Sequence, residues 1–206
     1  MRITSKWVAA IIAALIGAGP QGAMAGMVGL PRAALTPMLQ HIAFHSPTLA
    51  PMAFTMFCLR YADQCRPQHV LFRGGPIRLT PERMDDLKEV NDLVNASIVP
   101  EHNEMGLAGE KWEIAPSRGD CNDYAVTKRS ELLDRGWPAR VLLLSEVVTS
   151  WGEHHLVLVV RTNAGDLVLD NMTRSVRQWS KAPYQWVRMQ TPQNPNYWAT
   201  IAERRA

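Results

Sequence analysis

The sequence predicts an α+β domain, with helices in its first half and antiparallel strands in its second. Three observations carry this. Met84, Leu87, Val90, Val94 and Ile98 recur at spacings of three and four, the stripe of an amphipathic helix. A second helix reads from about Cys121 to Arg135, with Gly136 suited to its C-terminal cap and Pro138 to stop it. After it come β-branched and leucine-rich runs. Two of them, His155 to Arg161 and Asp166 to Asp170, flank the turn signal Thr162-Asn163-Ala164-Gly165.

The chain has 206 residues and opens with a targeting segment. Arg2 and Lys6 make a positive start, Trp7 to Gly17 is an apolar run too short to span a bilayer comfortably, and Ala23-Met24-Ala25 is a small-x-small cleavage signal. Residues 1–25 therefore read as a secretory signal peptide cut after Ala25, against the alternative of an uncleaved anchor. About 180 residues remain, enough for one domain with its own core. Residues 26–56 are rich in Ala, Pro, Met and Thr with weak periodicity, and read as an extended or mobile lead-in with room for a short helix, with residues 57–206 as the domain proper.

The formal net charge is +3, and two of the positive charges sit in the leader. The mature chain is close to neutral, which gives no electrostatic argument for nucleic acid or an anionic membrane. No second long apolar stretch follows, so the mature chain is not expected to span a membrane. Localisation is expected to be periplasmic or secreted. In that compartment the economical reading of three cysteines is a local disulfide between Cys58 and Cys65 and a free thiol at Cys121.

Each element has its own signal. Thr80-Pro81-Glu82 gives the first helix a cap, a proline at its first position and an acid facing the dipole, and Pro100 marks its end. Residues 100–118 read as a polar loop carrying Trp112, placed equally well in a cleft or in the core. Val141 to Val148 reads as a buried strand and Trp151-Gly152-Glu153 as a break. The tail, with Trp179, Tyr184, Trp186, Tyr197 and Trp198, is expected to add one strand and a covering segment.

The chemistry lies in Gly119-Asp120-Cys121-Asn122-Asp123-Tyr124-Ala125, in His154-His155-Leu156-Val157, and in Leu167-Val168-Leu169-Asp170-Asn171. A cysteine in a helix's first turn sits in positive potential, which favours thiolate. A histidine can take its proton, and an aspartate can orient that histidine. If Arg161 faces Asp166 across the turn, Asp170 becomes the diagonal neighbour of His155 on one face of the hairpin. A slip of one residue would break the pair. His154 points to the opposite face, so His155 is the expected partner.

These stretches, with Leu132-Leu133-Asp134-Arg135-Gly136-Trp137-Pro138-Ala139-Arg140, resemble the bacterial transglutaminase-like cysteine proteinases over about residues 54–200. The resemblance implies a papain-like, transglutaminase-core fold, with the nucleophile at a helix N-terminus packed on an antiparallel sheet. It implies Cys121 as nucleophile, His155 as base and Asp170 as orienter. The implied substrate is a protein of the cell envelope, a surface adhesin by the family's precedent. Adhesin-clipping members also bind calcium through an Asp-Cys-Glu-Asp motif. Here Asp120 and Asp123 remain but Asn122 stands for the glutamate, so a calcium site on Asp120, Asn122 and Asp123 would be weak. The competing reading is that the two aspartates cap the helix. Zinc is not expected, because no second cysteine or histidine lies at ligand spacing near Cys121.

The leading expectation is therefore an exported thiol hydrolase that cuts a peptide bond. One alternative is acyl transfer to an amine by the same three residues, as in a transglutaminase or amidase. The other is an exported binding module that keeps the fold and does not turn over.

Overall fold

A computed structural model describes residues 41–67, 75–103 and 106–202; the expected signal peptide and the lead-in up to residue 40 lie outside these. Among the described residues there are four α-helices: α1 (Met52–Arg60), α2 (Pro81–Ser97), the single turn α3 (Gly106–Gly109) and α4 (Cys121–Asp134). The strands are β1 (Phe44–Thr48), β2 (Val99–Pro100), β3 (Arg118–Gly119), β4 (Leu142–Val148), β5 (His154–Thr162), β6 (Gly165–Asp170), β7 (Thr173–Gln178), β8 (Gln185–Thr191) and β9 (Asn194–Ile201).

Both long helices form for local reasons that the sequence states. The Thr80 hydroxyl accepts the Arg83 N–H at 3.4 Å, and Pro81 occupies the first helical position of α2. Leu87, Val90 and Val94 are buried along its stripe, each worth about 2 kcal/mol of transfer free energy. Helix α2 ends at Ser97, earlier than Pro100 would require, because Val99 and Pro100 pair in parallel with Arg118 and Gly119. That small β2–β3 ladder takes both ends of the expected loop and sets the entry to α4. The end of α4 is closed by Gly136 at φ +83°, where the Gly136 N–H reaches Leu133 O at 2.9 Å and the Trp137 N–H reaches Leu132 O at 2.9 Å. This double bond pattern needs a left-handed residue, which glycine supplies.

Seven strands make one sheet in the order β1-β9-β8-β4-β5-β6-β7, antiparallel throughout. The hairpin register is the expected one, with Arg161 opposite Asp166 and Leu158 opposite Leu169. Leu142, Leu144, Leu156, Leu158, Leu167 and Leu169 join a core with α1, α2 and α4. Leu143, Val147, Val157, Val159, Val168 and Met189 join a second core with Trp179, Ala182, Tyr184 and Ile42. Both faces of the central strands are covered, which is why they read as continuous apolar runs.

Two features differ from expectation. The tail supplies β7, β8 and β9 rather than one strand, because the helix-covered sheet needs four further partners beyond the hairpin and β4. Residues 44–48 of the lead-in form β1 on β9, and Ala53, Phe54 and Phe57 bury the inner face of α1. Trp112 belongs to the core, 2% exposed and 5.8 Å from Phe54 ring to ring. The Cys58–Cys65 disulfide is present, tying α1 to the turn at Ala62–Cys65. Among the described residues no helix is long and apolar enough to cross a membrane.

Candidate active site

The first turn of α4 is fixed by a reciprocal cap. Asp120 Oδ1 accepts the Asn122 N–H at 2.9 Å, and Asp123 Oδ2 accepts the Asp120 N–H at 3.0 Å. Asp123 Oδ1 also accepts the Glu113 N–H at 2.7 Å, and Thr127 Oγ1 accepts the Ala115 N–H at 2.9 Å. Two side chains of α4 thus hold the bend at 113–115, where Ala115 takes φ +51°. Gly119 permits this closeness, since a Cβ there would lie 2.3 Å from Asp123 Oδ2.

Cys121 is the first residue of α4 and the free cysteine among the described residues. The Leu156 N–H donates to its sulfur, which brings the start of β5 against the helix end. Burial pushes the thiol up to about 12, helped by the carboxylates of Asp120, Glu110 and Glu153 and opposed by the Leu156 N–H. This corrects the expectation of a dipole-favoured thiolate. One helix end supplies half a unit of positive charge at most, and desolvation together with three acids outweighs it. The resting form is the neutral thiol.

His155, the neighbour of Leu156, is 6% exposed. Its Nε2–H donates to Asp170 Oδ1 at 2.9 Å, so the expected diagonal pair forms. Nδ1 is the nitrogen left for proton exchange. Asp170 Oδ1 also accepts the Met172 N–H at 3.0 Å, and Oδ2 accepts the Tyr184 hydroxyl. Burial alone would raise the Asp170 carboxyl, but the His155, Tyr184 and Met172 bonds outweigh it and hold the group below its usual range. Burial and the Asp170 bond push the Tyr184 phenol up, so it stays a donor. His154 points elsewhere, as expected: it is exposed and its Nδ1 meets Glu146 Oε1 at 2.7 Å.

Residues that sequence reasoning missed support this pair. Tyr184 lies 5.6 Å from the His155 ring, centroid to centroid. Asn91 of α2 is fully buried; its Oδ1 accepts the Asp170 N–H at 3.1 Å and its Nδ2 donates to Thr173 O and Arg174 O, both at 3.0 Å. Asn95 Nδ2 donates to Asp170 O at 3.0 Å. Asn91 interrupts the apolar side of α2, and a buried amide there was the signal available in the sequence.

Of the expected calcium donors, Asp123 has both oxygens on backbone N–H groups and Asp120 gives one oxygen to a cap. Among the described residues no cluster of three or more Asp, Glu, His or Cys side chains is spaced to hold a metal. As arranged, these residues fit the capping reading rather than a cation cage. An open hollow of about 730 Å³ lies beside the cap, lined by Glu101, His102, Glu113, Arg118, Asp120 and Asp123 among others.

A profile of the bacterial transglutaminase-like cysteine proteinases (BTLCP) matches residues 44–206. Among solved structures, calcium-bound Legionella pneumophila LapG is similar at 21% identity and TM-score 0.50, over 61% of this chain and 74% of that one. EGTA-treated LapG gives 21% identity and TM-score 0.48, over 63% and 72%. A further LapG structure gives 21% and 0.46, over 54% of this chain; the match spans 65% of that protein's length. No curated protein sequence matches the chain. The mixed fold, with a helix-borne cysteine on an antiparallel sheet, is that of the transglutaminase-like cysteine proteases. With a family profile covering the sheet, α4 and all three candidate residues, the chain belongs to the bacterial transglutaminase-like cysteine proteinases.

Proposed function

We propose that this protein is an exported thiol peptidase that cuts a peptide bond in a cell-envelope protein, with Cys121, His155 and Asp170 as its reacting groups. The observation that carries the reading is the buried His155–Asp170 bond, directly beside the Leu156 amide that touches the Cys121 sulfur. The family supports a protein substrate. Export rests on the leader at residues 1–25 and the Cys58–Cys65 disulfide. A surface adhesin is the substrate to try first, on the family resemblance.

The chemistry follows from the resting thiol. The Cys121 sulfur attacks the scissile carbonyl while its proton passes to His155 Nδ1. Asp170 holds the imidazolium through Nε2–H, and Tyr184 keeps Asp170 turned toward it. The Cys121 N–H, at the start of α4, stabilises the oxyanion. The carbon–nitrogen bond then breaks, the amine takes the proton from His155, and the sulfur keeps the acyl group as a thioester. Water, deprotonated by His155, releases the acid and restores the thiol.

Calcium belongs to this reading only as a weak ligand. A LapG neighbour is calcium-bound, whereas here Asn122 is neutral and Asp123 would have to leave its cap. Bound at Asp120 and Asn122, an ion would add positive charge beside the nucleophile.

Cys121→Ala should abolish turnover and leave the melting temperature within a few degrees, because Cys121 ends a helix and is only half-buried. New amino termini in an envelope protein, lost in the variant, support peptidase action. Incorporation of an amine without new termini would replace hydrolysis by acyl transfer, and retained turnover would remove Cys121 from the mechanism.

A further inference from the structure

Helix α1 is apolar on both sides. Ala53, Phe54 and Phe57 bury its inner face, and Met52, Met56 and Leu59 recur at spacings of four and three on the outer one. Met56 is 59% exposed and Leu59 76%. Beside them lies a groove of about 450 Å³, lined by Met56, Phe57, Leu59, Arg60, Lys111 and Trp112 among others. Its far wall is the segment 109–112, which leads straight to the nucleophile's helix: the N–H of the next residue, Glu113, donates to Asp123 Oδ1 at 2.7 Å. Phe57 and Trp112 belong to the same core that Cys121 packs against. The groove also shares Gly109 and Lys111 with the hollow beside the cap, whose wall includes Asp120. A polypeptide lying along both passes the residue before Cys121.

The charges at the rim are committed except for one. Arg60 Nη1 donates to Glu113 Oε1 at 2.8 Å, and Glu110 Oε1 accepts the Trp112 Nε1–H at 2.8 Å. Lys111 is exposed, and among the described residues its ammonium has no hydrogen bond or ion pair. The groove thus offers an apolar floor, methionine and leucine walls that adapt to several apolar shapes, and one cation at the end it shares with the hollow. A second copy of this chain fits poorly, because a two-fold partner would present the same concavity, and a groove is filled by a convex chain.

We propose that this groove is a subsite for the protein substrate: it seats an apolar side chain of an extended stretch, and Lys111 pairs with an acidic residue beside it. The inference rests on the peptidase reading above and names what its substrate carries. Seating an apolar side chain against Met56, Phe57 and Leu59 removes water from both surfaces. The Lys111 pair lies in water, so it selects between sequences more than it adds affinity. Binding away from the scissile bond also holds the chain in register at Cys121.

The test is selection of a random peptide library on the full chain carrying Cys121→Ala, which leaves binding without turnover, and on the same protein with Leu59→Asp or Lys111→Glu added. Both added changes fall at exposed positions and should leave the fold intact. The parent should enrich an aliphatic or aromatic residue next to an acid, by about tenfold over the input. Leu59→Asp should lose the apolar enrichment. Lys111→Glu should keep it and exchange the acid for a base. No enrichment, or a pattern that neither change alters, would overturn the proposal. So would a concentration-dependent dimer, seen by sedimentation in the parent and lost in Leu59→Asp, which would give the face to a second copy. The selected peptides are then offered to the wild type. Selection without cleavage keeps the subsite and removes the peptidase reading. Equal cleavage of peptides with and without the selected pair keeps the peptidase reading and removes the subsite.

Discussion

At the scale of single residues, the site depends on how Asp170 is held. Its carboxyl is 4% exposed, and its ionised form persists because three donors converge on it. A carboxyl held below its ordinary value of 3.8 adds stability above that pH and loses it as pH falls through the lower folded value. Asp170→Asn should therefore flatten the acid side of the stability profile. It should also cost most of the activity, though less than His155→Ala, because an amide keeps the contact without balancing the imidazolium. Tyr184→Phe is the finer probe. It removes one of three donors and leaves the ring packing, so kcat/KM should fall by about tenfold, near 1.4 kcal/mol, with little change in melting temperature. Wild-type kinetics in Tyr184→Phe would reduce the phenol to packing. The His155–Asp170 pair was legible because the hairpin register puts the two side by side, whereas the packing of the Cys121 helix end against β5 is a tertiary step that no local pattern supplies. Nor was Tyr184 legible, since its approach to Asp170 is set by a turn after β7 that no local pattern encodes.

At the scale of elements, what the sequence made readable were the parts whose reasons are local. Helix α2 shows its cap and stripe, α4 its glycine stop, and β5–β6 their turn. What stayed hidden was long-range. Strand β1 has no apolar alternation of its own and exists because β9 offers it an edge. Strand β7 is mostly exposed and is read as a strand only once β6 is in place. Helix α2 also has a second task, invisible in its apolar stripe: Asn91 and Asn95 hold the backbone of Asp170, Thr173 and Arg174. Asn91→Leu should cost about 2–3 kcal/mol, because it leaves the Asp170 N–H and carbonyls of the turn without partners in a dry place. It should lower activity beyond what the stability loss explains. The deciding measurement is kcat well below the unfolding midpoint. An unchanged kcat would show that the β6–β7 turn holds its shape without α2.

At the scale of the whole molecule, the sheet closes on itself through the chain's entry. Strand β1 pairs with β9, yet Ile42, two residues before β1, donates its N–H to Asp166 Oδ2 on β6 at 2.7 Å. Its carbonyl accepts from Arg161 Nη2 at 2.8 Å, and the Ala202 N–H reaches Ala43 O at 2.9 Å. In a flat sheet β9 and β6 would lie four strand spacings apart, about 19 Å. Two residues span about 7 Å. The sheet must therefore curl until its β6 and β9 ends approach, and residues 41–48 seal the gap. Asp166 is the joint: fully buried, it takes Arg161 Nε at 3.2 Å and Nη2 at 3.0 Å as well as the Ile42 N–H. Asp166→Ala would leave the Arg161 guanidinium without its carboxylate and the Ile42 N–H without an acceptor, a loss of about 3–5 kcal/mol. Amide exchange should rise together in residues 42–48 and in β9, because one seal serves both. If β1 and β9 stay protected while only β6 loosens, the closure is made by β1–β9 pairing alone. In that case Ile42 and Asp166 merely decorate it.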